Sequence, residues 1–84
     1  ALHRLVEDQV EALEFLAGKQ LPHLGEPLAQ VALKPGTLIA SITRKGKVII
    51  PSGADCIEPD DTVVVISPAA RGLNDLASIF WEER

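Results

Sequence analysis

Residues that build disulfides, metal clusters and aromatic cores are scarce in this chain of 84 residues. Its single cysteine, Cys56, cannot form an intramolecular disulfide or a thiolate metal cluster, and it fits a reducing compartment. Since acidic residues surround it in sequence, we expect an inert, packed thiol. The only aromatic residues are Phe15, Phe80 and Trp81. The core must therefore be built from Val, Ile, Leu and Ala.

Basic charge and long apolar runs are also lacking. The formal net charge is −4, whereas a nucleic-acid surface needs a basic face, so we expect no nucleic-acid partner. No apolar stretch approaches the roughly 20 residues that span a bilayer. Hydrophobic residues make up 46% of the chain, which indicates one small globular domain over residues 1–84. Because the chain has no methionine and opens in the middle of a pattern, we expect a fragment of a longer protein.

Motifs for common catalytic and cofactor chemistry are missing as well. There is no G-x-S-x-G elbow, no H-E-x-x-H motif and no G-x-G-x-x-G phosphate loop. His3 and His23 have no neighbours at metal-ligand spacing, so we expect surface histidines. The sequence therefore predicts a protein that is not an enzyme and that binds neither NAD nor ATP through this segment.

A group of acidic residues near position 60 offers oxygen atoms that a calcium ion would accept. Their spacing does not match an EF-hand loop, and a turn into the following strand explains them more simply. We therefore predict no metal site at these residues, which are Asp55, Glu58, Asp60 and Asp61.

The most informative segment reads as a β-hairpin. Apolar and polar residues alternate over residues 38–43, the period of a half-buried strand. Lys45-Gly46 provides a tight turn, since glycine takes a positive φ without a Cβ clash. A second strand over residues 48–50 ends at Pro51, which has no N–H to continue a ladder.

Patterns elsewhere predict two helices and a further strand. Gly25-Glu26-Pro27 is typical of a helix start, and Ser67-Pro68 suits the cap and first position of a second helix. The β-branched run over residues 62–67 predicts a strand covered on both faces. Residues 9–16 alternate like a strand but are rich in helix formers, which leaves both structures open. The second helix would bury a stripe made of Leu73, Leu76, Ala77 and Phe80.

Several of these motifs occur together and in the order of a known family. The phrases K-P-G-T-L-I-A from position 34, R-K-G-K from position 44 and I-E-P from position 57 resemble the TrkA-C domain. This is the C-terminal domain of regulators of potassium conductance, found in Trk-type potassium uptake regulators. The resemblance covers about residues 10–80 and implies a strand over residues 9–16. It also implies a positive φ at Asp60, where the family often has glycine.

The resemblance and the patterns together predict an α+β domain of order β-α-β-β-β-α, with a mixed or antiparallel sheet packed against two helices. Ile79 and Trp81 fall off the stripe of the second helix. A dimer partner covers them, or they lie in solvent; the pattern leaves both open. We expect a homodimer.

The resemblance also implies a ligand site. In some relatives the hairpin segment lies at a two-fold dimer interface and binds cyclic di-AMP, whose phosphates suit arginine. Loss of this arginine is expected to weaken binding with little loss of stability. The alternative is a basic hairpin tip over an ordinary core and dimer interface. The residues at the equivalent motif positions are Ile39, Arg44, Ile49, Ile50 and Pro51.

The function implied by the resemblance is regulatory. The domain would be a cytoplasmic ligand-sensing and dimerisation module, peripheral to the inner face of the plasma membrane, that gates a potassium-transporting membrane subunit. NAD or ATP would bind only to a nucleotide-binding domain before Ala1. The alternatives are the same module attached to another transporter or to a transcription regulator, and a ligand-sensing regulatory domain of a metabolic enzyme.

Overall fold

A computed structural model describes residues 2–5, 9–69 and 72–81 of the chain. Its centre is a five-stranded sheet in the order β1-β2-β5-β3-β4, in which each pair of neighbouring strands is antiparallel. The strands are β1 (Leu2–Leu5), β2 (Val10–Leu16), β3 (Leu38–Arg44), β4 (Lys47–Ile49) and β5 (Thr62–Pro68). No helix among these residues is both long and apolar enough to cross a bilayer.

Strand β5 lies in the middle of the sheet, where its β-branched residues suit the pleated surface. Val63, Val65 and Ser67 are buried, whereas the alternate residues are half-buried. The strand was predicted to be covered on both faces. Within the described ranges only one face of β5 is fully buried, the face towards which the apolar residues of the core cluster pack.

A β-bulge interrupts the alternation predicted for β3. The pairing with β5 shifts between Ile39 and Ser41, which leaves Ala40 as the extra residue. Ile39 and Ile42 therefore both face the core, although they are three residues apart. The strand itself was predicted correctly. Because of the bulge, however, Ile39 is buried on the same side as Ile42, whereas Leu38 is exposed.

Among the described residues neither predicted segment forms an α-helix; residues 70 and 71 of the second segment lie outside the described part of the chain. The segment after Gly25-Glu26-Pro27 makes one 3-10 turn, Leu28–Gln30, and returns to extended backbone at Val31. Ser67-Pro68 does not start a helix, because these residues continue β5 in register with β2. Another 3-10 turn covers Leu76–Ile79, and Asp75 caps it by accepting from the Ser78 amide.

The core lies between one face of the sheet and these turns. Ile79 is fully buried because residues three apart lie on the same side of a 3-10 turn, which places it beside Leu76. The stripe prediction therefore missed it, although Leu76 and Phe80 are buried as predicted. The buried apolar residues are Ala17, Ile39, Ile42, Ile57, Val63, Val65, Leu76, Ile79 and Phe80.

The hairpin turn between β3 and β4 confirms its prediction. Lys45 has a φ of 51° and Gly46 a φ of 79°, as in a two-residue turn with positive φ at both positions. Asp60 also has a positive φ, at 73°, as the resemblance implied.

Replacing Gly46 by Ala should destabilise the fold by about 1–2 kcal/mol, the cost of left-handed backbone for a residue with a Cβ. Beyond the adjacent residues, no atom lies within 4 Å of a Cβ built at either Gly46 or Gly18, but Gly18 does not have a positive φ. Gly18→Ala is therefore the control and should not destabilise. Urea denaturation of both variants measures the difference, and equal midpoints would contradict the turn assignment.

Candidate ligand site beside the hairpin

The loop from residue 50 to residue 61 connects β4 to β5 and runs along the first 3-10 turn. Backbone hydrogen bonds hold it there, from Leu28 N to Asp55 O at 2.8 Å and from Ala29 N to Gly53 O at 2.9 Å. A Cβ on Gly53 would lie 2.8 Å from the Cβ of Ala29, so this close approach requires glycine. The loop is thereby fixed as one wall of a groove.

The groove has a volume of about 200 Å³ and is mainly apolar. Pockets for drug-sized ligands measure about 300–1,000 Å³, so this groove has room for one flat ring system rather than a whole dinucleotide. The lining residues are Leu28, Ala29, Leu33, Leu38, Ile39, Pro51, Ser52 and Gly53.

The structure separates the five predicted ligand residues. Ile39 and Pro51 line the groove, and Ile50 lies beside Pro51 with 76% of its surface exposed. Ile49 is paired with Ile42 in the hairpin and packs against the core. Arg44 does not line the groove, because its side chain points towards Asp61.

Arg44 clamps the end of the loop. Its Nε donates to Asp61 Oδ1 at 2.9 Å, and its Nη2 donates to Asp61 Oδ2 at 2.8 Å and to the Cys56 carbonyl at 2.9 Å. The Glu58 amide also donates to Asp61 Oδ2, at 2.8 Å. The Asp61 carboxylate is 1% exposed and is therefore held by three N–H donors.

These contacts change the acidity of both groups. Burial opposes ionisation of Asp61, but the hydrogen bonds from Arg44 and from the Glu58 amide outweigh it and hold the pKa of Asp61 below its ordinary value. The hydrogen bonds with Asp61 in turn raise the pKa of Arg44 above its ordinary value. The pair is therefore charged throughout the physiological pH range.

Sequence reasoning missed this pair. The sequence left Arg44 either at a ligand or on a basic hairpin tip, and it placed Asp61 in a turn. The signal was present, since Arg44 lies two residues after the buried Ile42 and so faces the covered side of the sheet. Asp61 directly precedes the central strand on that side.

Asp55 and His23, two of the other polar candidates, have local partners. The Asp55 carboxylate accepts from the Ser52 amide at 2.7 Å. The His23 ring lies against Phe80, with 4.8 Å between ring centroids, and its Nδ1 lies 3.2 Å from Glu26 Oε1. The side chain of His3 lies outside the described part of the chain.

Fold and site together define a small antiparallel β domain with an apolar groove between strand β3 and the loop that Arg44 holds in place. The family model of the TrkA-C domain matches residues 13–80, and the chain belongs to this family. The resemblance seen in the sequence is thus confirmed.

Curated relatives carry the same domain in potassium transport proteins. The chain is 35% identical over 57 residues to the K(+)/H(+) antiporter NhaP2 of Shewanella oneidensis, a match that covers 68% of the chain and 10% of the antiporter. It is 28% identical over 78 residues to the Trk system potassium uptake protein TrkA homolog 2 of Methanosarcina mazei, which covers 90% of the chain and 17% of that protein. The chain therefore spans less than a fifth of the length of these relatives.

Proposed function

We propose that this domain is a non-enzymatic, ligand-sensing and dimerisation module that regulates a potassium-transporting membrane protein from the cytoplasmic side. The observation that carries the proposal is the apolar groove, in which Ile39 and Pro51 meet beside the exposed Ile50. Membership of the TrkA-C family supports the regulatory role. A ligand would act by binding more tightly to one of two dimer arrangements.

Two settings for the module follow from the relatives. In a Trk-type system it would gate a separate membrane subunit through a nucleotide-binding domain of its own chain. The second candidate is a module attached to a cation/proton antiporter, and the 35% identity to the Shewanella antiporter favours it. The match to the Trk relative is lower in identity but longer, at 78 residues, and supports the first setting. Both settings use the same groove.

The ligand that we propose is cyclic di-AMP. One adenine ring would suit the groove in size and in its apolar lining. The exposed Ile50, which precedes Pro51 in the chain, would then cover a base or ribose. Because one groove holds only one ring, two copies of the domain would share the dinucleotide, each taking one base. The ligand would thereby stabilise the dimer arrangement in which the two grooves face each other.

Titration of cyclic di-AMP into the 84-residue chain by calorimetry tests the proposal. Ile50→Ser should weaken binding by about tenfold or more, because burial of an isoleucine contributes about 1.5–3 kcal/mol. Leu16→Ser is the matched control: Leu16 is 69% exposed, on β2 rather than in the groove, and its loss should leave the affinity unchanged. Absence of binding by the wild type at high micromolar ligand would refute the sensing role.

We further expect the chain to bind neither NADH nor ATP. Tight phosphate binding by a backbone loop needs a glycine-rich turn before a helix N-terminus, and no such motif is present in the sequence. Calorimetric titration of each nucleotide into the chain should give no heat of binding at micromolar ligand concentrations. Micromolar affinity for either nucleotide would contradict this expectation.

A further inference from the structure

Strand β4 lies at an edge of the sheet, so one side of its backbone has no neighbouring strand. The two-residue turn makes Arg44 and Lys47 a hydrogen-bonded pair. In an antiparallel ladder the next pair, Thr43 and Val48, then has no mutual hydrogen bonds. The N–H and C=O of Val48 therefore point away from β3. Within the described part of the chain, no loop or turn forms a backbone hydrogen bond with Val48, so these groups can pair with another extended chain.

The side chain of Val48 is open to the same partner. It is 67% exposed. Because Ile49 beside it packs against the core and successive residues of a strand point to opposite faces, Val48 lies on the face away from the core. An added strand would cover it with the side chain directly opposite, and an apolar residue suits that position.

Charge indicates what kind of chain the edge accepts. Lys45 and Lys47 are exposed and make no ion pair within the described ranges, whereas Arg44 between them and the core is paired with two carboxylates. The whole chain has a net charge of −4, so these lysines form a local positive site on an acidic protein. Pairing with β4 of a second copy would bring the lysines of both copies to one seam, where like charges repel. An acidic segment would neutralise them.

We propose that the free edge of β4 binds an extended segment of a partner protein in which apolar and acidic residues alternate. The segment adds a strand beside β4, as in other cases of strand addition. Its backbone pairs with the outward groups of Val48, its apolar side chains cover Val48, and its carboxylates meet Lys47 and Lys45. This interaction surface is separate from the apolar groove and does not depend on cyclic di-AMP.

The test uses a short fluorescent peptide in which valine and glutamate alternate, titrated with the 84-residue chain and followed by anisotropy. Two further versions carry N-methyl groups, one on every valine and the other on every glutamate. Each version blocks the N–H groups along one edge of the peptide, because the N–H groups of a strand alternate in direction. A peptide with lysine in place of glutamate is the control for charge.

The acidic peptide should bind, and its affinity should fall as salt is raised, because salt screens the exposed lysines. One methylated version should bind like the parent peptide. The other should lose about fivefold or more in affinity, the scale of backbone groups left without partners. The lysine peptide should not bind.

Variants of the protein test the same edge. Val48→Pro removes the outward N–H and leaves the hydrogen bonds to β3 intact, and edge strands tolerate proline. It should weaken binding about fivefold or more, whereas Val48→Thr keeps the N–H and should lose less. Lys47→Gln should weaken binding about two- to fivefold, the scale of an exposed ion pair. Lys19→Gln removes the same charge from an exposed position outside the hairpin and should leave the affinity unchanged.

Absence of binding at millimolar peptide, equal affinities for the two methylated versions, or wild-type affinity in Val48→Pro would each overturn the proposal. Equal losses in Lys47→Gln and Lys19→Gln would show a general attraction between charges and would also overturn it. Equal urea midpoints establish that the variants keep the fold. If Val48→Pro does not fold, the methylated peptides still decide the matter, because they leave the protein unchanged.

Discussion

Replacing Arg44 by Ala is expected to destabilise the domain by about 3–5 kcal/mol, because it leaves the buried Asp61 carboxylate without its charged partner. The expectation from sequence was instead that loss of this arginine costs little stability. For a domain of this size the loss approaches the whole free energy of unfolding. Arg44→Lys should lose less, since an ammonium keeps the charge but cannot form the two parallel hydrogen bonds.

Urea denaturation followed by circular dichroism measures this effect. Glu58→Gln is the matched control, because it removes only the exposed partner of Arg44 and should cost less than about 1 kcal/mol. If Arg44→Ala itself does not fold, Arg44→Lys still gives a measurable midpoint. An Arg44→Ala variant as stable as Glu58→Gln would show that the clamp does not hold the loop.

The same pair makes stability depend on pH. The folded-state pKa of Asp61 is lowered, so its contribution is fully present above the unfolded value of about 4 and is lost as the pH falls through the folded value. We therefore expect the wild type to lose stability below pH about 4. In Arg44→Ala the carboxylate is buried without a counterion, so protonation relieves its cost. The difference between the two proteins should shrink in acid.

Replacing Phe80 by Ala is expected to cost about 3–5 kcal/mol, the usual loss for a buried aromatic side chain. Phe80 is 2% exposed, forms an isolated β-bridge with Leu33 and contacts the His23 ring. Leu33 lines the groove, so loss of Phe80 should also weaken ligand binding. Phe80→Leu keeps most of the apolar volume and should lose about half as much stability as Phe80→Ala.

The neighbouring Trp81 supplies the control. It is 49% exposed, and Trp81→Ala should cost less than about 1 kcal/mol if its ring makes no buried contact. Thermal denaturation of the three variants checks the order. A Trp81→Ala loss as large as that of Phe80→Ala would show that a partner chain covers Trp81, as a homodimer through this end of the domain requires. Sedimentation at high micromolar concentration would then show a dimer.

Local sequence determined the features that depend on few residues. The turn at Lys45-Gly46 and the positive φ of Asp60 follow from the conformational freedom of glycine and aspartate. The strands β2, β3 and β5 follow from alternation and β-branching, together with the family motifs. These motifs also identified the TrkA-C family, because they are contiguous and the chain keeps their order.

Tertiary structure decided the rest. The bulge at Ala40 depends on the pairing register between β3 and β5, and no local sequence pattern predicts that register. A short helix is marginal on its own, so tertiary hydrogen bonds override it. The first expected helix is reduced to one turn whose amides donate to the carbonyls of Asp55 and Gly53. The expected start of the second helix pairs with β2 instead. Arg44 and Asp61 are 17 residues apart in sequence. Only the folded sheet brings the arginine, which the sequence places near a hairpin tip, into contact with the buried carboxylate. Burial makes that ion pair structural, because the cost of leaving either charge unpaired exists only in the folded interior.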